Sequence, residues 1–184
     1  MKQSSQIEIE WRSAIPRLAD NKLIRDLPYE SLSARIPTSK STIGINFITT
    51  TTPFSLIPTS TSLSSSLHSA IYRIRPDTGA ILFSRQEWGS LLNHLTDAVP
   101  PIFDEQCRQL GKIICQLKDV PKDIPQFSGH FRQSTINQIK AGEQVFLCFG
   151  GVLILGHTID RVVFNAELLE KTAKAYLMAK ATGR

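Results

Sequence analysis

The chain has 184 residues, of which 41% are hydrophobic and 20% charged, and its formal net charge at pH 7 is +5. This composition is typical of a globular protein, and the length predicts one domain over residues 1–184. No apolar run reaches the roughly 18 residues of a membrane span, and the polar start has no apolar signal segment, so we expect a cytoplasmic protein. The basic residues are dispersed, without a basic run or an aromatic-rich motif, which argues against nucleic acid as a partner.

The first element is an amphipathic helix predicted over residues 7–27. Its apolar residues are predicted to face the core, and they are Ile9, Trp11, Ile15, Leu18 and Leu23. A proline inside a helix removes a backbone donor and crowds the preceding turn. Pro16 therefore leaves open whether the segment is one helix or two short ones.

A stretch rich in serine and threonine follows at residues 49–66. It has two interpretations, a hydroxyl-lined anion pocket or an edge strand followed by a loop. Threonine suits strands, and serine with proline suits loops, so the second interpretation is favoured.

The most informative stretch is residues 64–85, SSSLHSAIYRIRPDTGAILFSR. Its apolar residues recur at helical spacing until Pro76, which ends the helix. The next three residues, Asp-Thr-Gly, have turn chemistry, and the apolar run at 80–83 is typical of a buried strand. The stretch therefore predicts a helix, a turn and a strand in succession.

Two short helices are predicted beyond this unit, at residues 86–96 and at residues 134–140, the second ended by glycine. Between them, Asp104 and Glu105 are adjacent carboxylates. Catalytic carboxylates need positioned partners, and no histidine is placed beside these two, so we interpret them as solvated.

The segment VFLCFGGVLIL, residues 145–155, is the strongest strand signal in the chain. Its two apolar runs are separated by two glycines, which locally favours a tight hairpin.

The last predicted helix covers residues 159–181 and has a continuous apolar face. Thr158 is the predicted N-cap. Glu167 and Glu170 each have a lysine four residues later, an arrangement that supports an isolated helix.

Histidines and cysteines give no local metal motif. No two histidines are spaced i, i+2 or i, i+4, and no CxxC pair is present. We interpret the cysteines as buried free thiols, and the helix histidine as hydrogen-bonded within the fold. These residues are His68, His94, His130, His157, Cys107, Cys115 and Cys148.

The order LHSAIYRIRPDTGAILFSR, together with the ending from GVLILG onward, resembles the class II aldolase/adducin domain family. The resemblance implies an α/β fold, a three-layer α/β/α sandwich with a mixed, largely antiparallel central sheet. It implies a hairpin at residues 29–56, and it makes residues 145–155 two core strand segments. It also implies self-association, with tetramers usual in the family, or a hetero-oligomer with a related chain.

Enzymes of that family bind zinc through a His-x-His pair and a third histidine before a glycine, and carry a glutamate four residues before the helix histidine. The zinc stabilises an enediolate formed from a ketose phosphate. The resemblance places Ser64 at the glutamate and Phe83, Arg85 and Gly150 at the histidines. Phenylalanine and glycine have no donor atom, and a guanidinium has no free lone pair. We therefore expect no zinc cofactor and no catalytic residue at these positions.

The family's phosphate-binding motifs are matched only in part. Ser33, Arg35 and Thr49 agree with them, whereas Glu30 replaces a glycine and would repel phosphate. With Arg85, these three residues are the candidates for binding a small anion. Arg85 either holds an anion near the former zinc position or extends into solvent.

Two functions of different classes follow from the resemblance. The favoured one is a non-catalytic family member that acts as an assembly or interaction subunit, with a small anionic ligand. The alternative is a sugar-phosphate aldolase or epimerase with a rebuilt active site.

Overall fold

A computed structural model describes residues 2–36, 42–47, 56–58, 63–96 and 98–183. In that part of the chain, six α-helices and eight strands are present. The helices are α1 (Lys2–Asp20), α2 (Leu63–Ile74), α3 (Glu87–Leu95), α4 (Asp104–Gln109), α5 (Gln133–Lys140) and α6 (Ile159–Ala181). The strands are β1 (Ser31–Arg35), β2 (Thr42–Phe47), β3 (Leu56–Pro58), β4 (Ala80–Ser84), β5 (Ala98–Val99), β6 (Ile114–Gln116), β7 (Val145–Cys148) and β8 (Gly151–Gly156).

The strands form one sheet in the order β3-β2-β1-β4-β8-β7-β6-β5. The pair β6–β7 is parallel and the other neighbouring pairs are antiparallel. β4 lies at the centre, between β1 and β8. The residues that follow β4 are therefore surrounded by other parts of the chain, which makes this end of the strand a natural place for a site.

Side chains alternate between the two faces of the sheet, as the pleat requires. Ala80 and Leu82 of β4 pack on one face with buried residues of α1, α3 and α6. Ile81 and Phe83 pack on the other face with buried residues of α2 and α5. Helices thus cover both faces, which confirms the predicted α/β/α sandwich with a mixed, largely antiparallel sheet.

Several predicted elements are confirmed with their bounds close to those expected. These are the helix and strand of residues 64–85, the two short helices, and α6, whose N-cap Thr158 accepts a hydrogen bond from the backbone nitrogen of Arg161 at 3.2 Å. β1 and β2 form the expected antiparallel hairpin. In the serine- and threonine-rich stretch, β3 is an edge strand, while residues 48–55 and 59–62 lie outside the described part.

The N-terminal helix differs from the prediction. α1 is continuous through Pro16 and ends at Asp20, so it is neither two pieces nor a helix that reaches residue 27. Trp11 and Leu18 are buried as expected, but Ile9 is 61% exposed. The buried face of α1 is narrower than its apolar residues suggested. Ile9 therefore lies outside the contact between the helix and the sheet.

The glutamates of α6 also have partners that local spacing did not indicate. Glu167 accepts two hydrogen bonds from the guanidinium of Arg17 on α1, at 2.7 and 2.8 Å. Glu170 accepts hydrogen bonds from the backbone nitrogens of Trp88 and Gly89, both at 2.9 Å, and so caps the N-terminus of α3. Both carboxylates join α6 to a neighbouring helix.

Two further properties bear on the sequence predictions. The three cysteines are free, with Cys148 buried and Cys107 and Cys115 half-buried. Within the described residues, none of the helices combines the length and the apolar character needed to cross a membrane.

Candidate functional site

The structure brings together three of the four positions that the resemblance assigns to the zinc ligands and the glutamate. Phe83 lies in β4, Arg85 follows that strand, and Gly150 lies in the turn before β8, which pairs with β4. Next to that turn, Gly151 has no room for a side chain. A Cβ atom there would lie 2.6 Å from the carbonyl oxygen of Ser84, 2.9 Å from Phe83 Cζ and 3.2 Å from Arg85 Cγ.

Phe83 is part of the core rather than of an open site. Its side chain is fully buried, and its ring meets that of Phe149 edge-on, with the centroids 6.4 Å apart and the planes inclined by 74°. Phe149 in turn makes an edge-on contact with Phe127 at 5.6 Å. An aromatic cluster therefore occupies the space around this position.

Gly150 belongs to a tight hairpin between two fully buried strands, so both interpretations of residues 145–155, the local hairpin and the pair of core strand segments, are confirmed. Cys148 pairs with Gly151, and the two residues between them, Phe149 and Gly150, have φ values of 52° and 67°. Positive φ at both central residues defines a type I′ turn. Glycine adopts this conformation readily, whereas a histidine at residue 150 would be strained.

Arg85 lies between β4 and α3 and is half-buried. Its backbone nitrogen donates a hydrogen bond to Glu30 Oε1 at 2.8 Å. Its side-chain Nε is buried and has no hydrogen-bond partner in the described residues. The side chain thus stays close to the fold at Gly151 instead of extending fully into solvent.

Glu30 has a role that the sequence did not reveal. It is 1% exposed, and its two carboxylate oxygens accept three backbone hydrogen bonds, from Arg25 at 2.8 Å, Leu27 at 3.0 Å and Arg85 at 2.8 Å. Buried carboxylates are stable when such donors surround them. Glu30 therefore fastens the loop after α1 to the end of β4. The donor that links Glu30 to β4, Arg85, lies 55 residues away along the chain, so no local pattern could have indicated this contact.

Ser33 lies in a buried polar network on α2 and β1. Its Oγ lies 2.6 Å from His68 Nδ1 and 3.0 Å from the hydroxyl of Tyr72, and Ser31 Oγ lies 3.0 Å from His68 Nε2. Ser31 also donates its proton to the carbonyl oxygen of Tyr29 at 3.2 Å. These contacts confirm that the helix histidine is hydrogen-bonded within the fold.

The hydrogen bond from Ser31 to the carbonyl oxygen of Tyr29 fixes the donor and acceptor of every other hydrogen bond in this network. A hydroxyl has one proton, so Ser31 must accept from His68 Nε2–H. His68 Nδ1 is then the acceptor for Ser33, and Ser33 accepts from Tyr72. Burial lowers the pKa of His68 to about 3 and raises the pKa of Tyr72, so both side chains are neutral. Ser33 has no hydrogen left for an external ligand.

Arg35 lies at the opposite end of β4 from Arg85. Its backbone nitrogen donates a hydrogen bond to the carbonyl oxygen of Gly79. Its guanidinium donates to the carbonyl oxygens of Thr78 and Tyr72 at 3.3 and 2.9 Å. The guanidinium carbon lies 4.7 Å from the centroid of the Tyr72 ring. Arg85 lies six positions after Gly79 along extended chain, which corresponds to roughly 20 Å. The structure therefore does not bring the two arginines together. Arg35 lines a separate groove of about 250 Å³ with His157.

The other two candidate positions are only partly described. Thr49 lies outside the described residues, and Ser64 lies in the first turn of α2, where its side chain is not described. The remaining histidines are all exposed, with His94 on α3 and His130 and His157 in loops. Asp104 is exposed and Glu105 half-buried.

The side chains at the assigned positions do not fit a zinc ion. Phe83 and Gly150 supply no donor, and the charge of Arg85 would repel a cation. Among the described residues, no three His, Cys, Asp or Glu side chains come close enough to hold a metal. Residues 37–62 contain none of these four residue types, whereas Asp97 lies outside the described residues.

Comparisons with known proteins bear on the identity of the fold. The model of the family described as "Class II Aldolase and Adducin N-terminal domain" matches residues 53–177, which is more than half of the chain. No curated protein matches the sequence.

Solved structures of similar fold include three sugar-phosphate aldolases. L-fuculose-1-phosphate aldolase from Thermus thermophilus is 16% identical with a TM-score of 0.72, covering 98% of this chain and 98% of that one. L-fuculose 1-phosphate aldolase from Glaciozyma antarctica is 21% identical with a TM-score of 0.65, covering 97% and 75%. A sugar-phosphate aldolase from Thermotoga maritima is 14% identical with a TM-score of 0.59, covering 98% and 97%. At these levels of sequence identity, the comparison with solved structures shows a shared fold and nothing more.

Proposed function

The chain belongs to the class II aldolase and adducin N-terminal domain family, and from this premise we propose that it is a non-catalytic member that acts as an assembly or interaction subunit. The observation that carries the proposal is the packing of Phe83. A fully buried phenyl ring, in contact with a second ring, fills the position that the resemblance assigns to a zinc ligand. The lyase chemistry of the family needs an electrophile at that point.

The first experiment measures the metal content of the purified protein. We expect no stoichiometric zinc by elemental analysis, and no cleavage of a ketose 1-phosphate above background. About one zinc per chain, lost on chelation together with such an activity, would support the alternative of a lyase or epimerase with a rebuilt site.

A second experiment tests the assignment of the four positions. The combined variant Ser64→Glu, Phe83→His, Arg85→His and Gly150→His should bind zinc if the backbone retains the family geometry. The open space around Gly150 accommodates a side chain, although the positive φ makes the change unfavourable. A variant that folds and takes up no zinc shows that the positions are assigned wrongly.

The proposed assembly is supported by apolar side chains on the surface. Leu91 and Leu95 of α3 are 42% and 58% exposed, and their spacing of four places them on one face of the helix. We propose that this face contributes to a contact between subunits, either of this chain or of this chain and a related one.

Light scattering tests this part of the proposal. We expect an oligomer at micromolar concentration and a smaller mass for the double variant Leu91→Lys and Leu95→Lys. As a control, Asn137→Lys changes an exposed residue of α5 and should leave the mass unchanged. A wild-type monomer would count against self-association, and association with a related chain would then be tested by mixing.

A further inference from the structure

Arg85 is a partly buried cation without a counter-ion in the described chain. Its Nε is buried and has no hydrogen-bond partner. No carboxylate of the described residues lies within ion-pair distance of Arg85. A buried donor without a partner is unfavourable, and more so when it is charged.

The carboxylates near Arg85 do not supply the missing partner. Glu30 contacts the backbone of Arg85, but its two oxygens accept three backbone N–H groups, one of them from Arg85 itself. Glu87 lies two residues further on, at the start of α3, and is exposed. The first turn of α2 has no acidic residue, and the turn before β8 carries no charge.

The backbone around Arg85 is shaped to keep its side chain in place. Arg85 Cγ lies 3.2 Å from the point that a Cβ of Gly151 would occupy, so the absence of a side chain at residue 151 allows the arginine to lie over the strand. The hydrogen bond from its backbone nitrogen to Glu30 fixes the start of the side chain. The guanidinium is thus held at the end of β4, with part of its length still open to solvent.

We propose that Arg85 binds the oxyanion group of a small molecule, a carboxylate or a phosphate, at the position where the resemblance places a zinc ligand. A guanidinium presents two parallel N–H groups that match a carboxylate or phosphate in a bidentate pair. The pair formed by Nε and one Nη is such an edge, and Nε is the atom that lacks a partner. This inference deepens the proposed function, because a retained zinc site would exclude it.

The test is isothermal titration calorimetry of the full chain. Inorganic phosphate and acetate are titrated separately at constant ionic strength. Chloride, added as sodium chloride, is the control anion. We expect saturable binding of at least one oxyanion, and the two titrations distinguish a phosphate from a carboxylate ligand. Arg85→Met should weaken the affinity about tenfold or more, since hydrogen bonds to charged groups contribute that much.

Two further variants make the result specific. Arg85→Lys keeps the charge but loses the paired N–H edge, so its affinity should lie between those of the wild type and Arg85→Met. Arg12→Met removes an arginine on the exposed surface of α1 and should bind as the wild type does. If Arg85→Met does not fold, the comparison with Arg85→Lys decides the question.

The inference is overturned if the wild type binds neither oxyanion saturably, or if the Arg85 variants bind as tightly as the wild type. Zinc is measured in the same preparations. Zinc at about one per chain would refute the proposed function, whereas no zinc and no oxyanion binding would refute this inference alone.

Discussion

Acid should destabilise this protein in part through His68, a buried histidine of α2. The side chain is fully buried between α2 and β1, and both ring nitrogens are engaged with serine hydroxyls. Burial lowers the pKa of His68 from 6.5 to about 3, because the charged imidazolium would lose its hydration. Protonation would also remove the acceptor that Ser33 uses at Nδ1.

The size of the effect follows from the two pKa values. The unfolded chain binds a proton at His68 below about pH 6.5, whereas the folded chain binds it only near pH 3. The stabilising contribution of the neutral His68 is therefore fully present above pH 6.5, and it decreases as the pH falls from 6.5 towards 3. Each pH unit in this window corresponds to about 1.4 kcal/mol. Between pH 7 and pH 4.5, His68 alone should lower the free energy of unfolding by roughly 2–3 kcal/mol.

A variant that cannot titrate isolates this contribution. His68→Gln retains one acceptor and one donor for the two serines. Urea unfolding of both proteins at pH 7, 5.5 and 4.5 gives the difference in the free energy of unfolding, in which the carboxylates shared by the two proteins cancel. The variant should be less stable at pH 7, and the difference in the free energy of unfolding should narrow by roughly 2–3 kcal/mol at pH 4.5. His94→Gln, an exposed histidine on α3, is the matched control and should leave the pH dependence as it is.

A constant gap between wild type and His68→Gln over this range would refute the reasoning. It would mean that His68 has the same pKa in the folded and unfolded chains, and therefore that it is not buried between two hydroxyls. A gap that narrows equally for His94→Gln would assign the effect to general charge repulsion.

Two further predictions concern the residues around the end of β4. Gly151→Ala should destabilise the fold by about 2–3 kcal/mol, because the added methyl group would meet the carbonyl oxygen of Ser84 at 2.6 Å. Gly150→Ala has open space and should cost only the roughly 1 kcal/mol of the positive φ, so equal losses for the two variants in urea unfolding would contradict this description. Glu30→Gln should cost about 2 kcal/mol, since an amide has one acceptor oxygen for three backbone donors, and a change below about 0.5 kcal/mol would show that the carboxylate is not needed.

Local sequence patterns were sufficient where one element determines its own limits. The bounds of α6 follow from its capping threonine and its continuous apolar face, and those of α2 from Pro76. In α1 the same kind of pattern failed in part. Whether Ile9 is buried depends on how the helix lies against the sheet, and the continuity of the helix through Pro16 depends on packing that compensates for a lost hydrogen bond.

The site shows the limit of such patterns more clearly. The residue types at Phe83, Arg85 and Gly150 could be interpreted from the sequence, because whether a side chain has donor atoms does not depend on the fold. The contacts of Glu30 and His68 could not, since their partners lie up to 55 and 37 residues away along the chain. Arg35 and Arg85 looked like members of one anion site until the antiparallel register of β1 and β4 placed them at opposite ends of a strand.

The central position of β4 has a consequence for how the protein is made. Its partner β8 follows roughly 65 residues later in the chain, so pairing along that edge has a high contact order. At a synthesis rate of about 5–20 residues per second, the edge of β4 emerges roughly 3–13 s before the strand that covers it. The β7–β8 hairpin closes in microseconds once it is made, so translation sets this delay. During those seconds an apolar strand, Ala-Ile-Leu-Phe, has an unpaired edge, and this nascent chain is where a chaperone would be needed most.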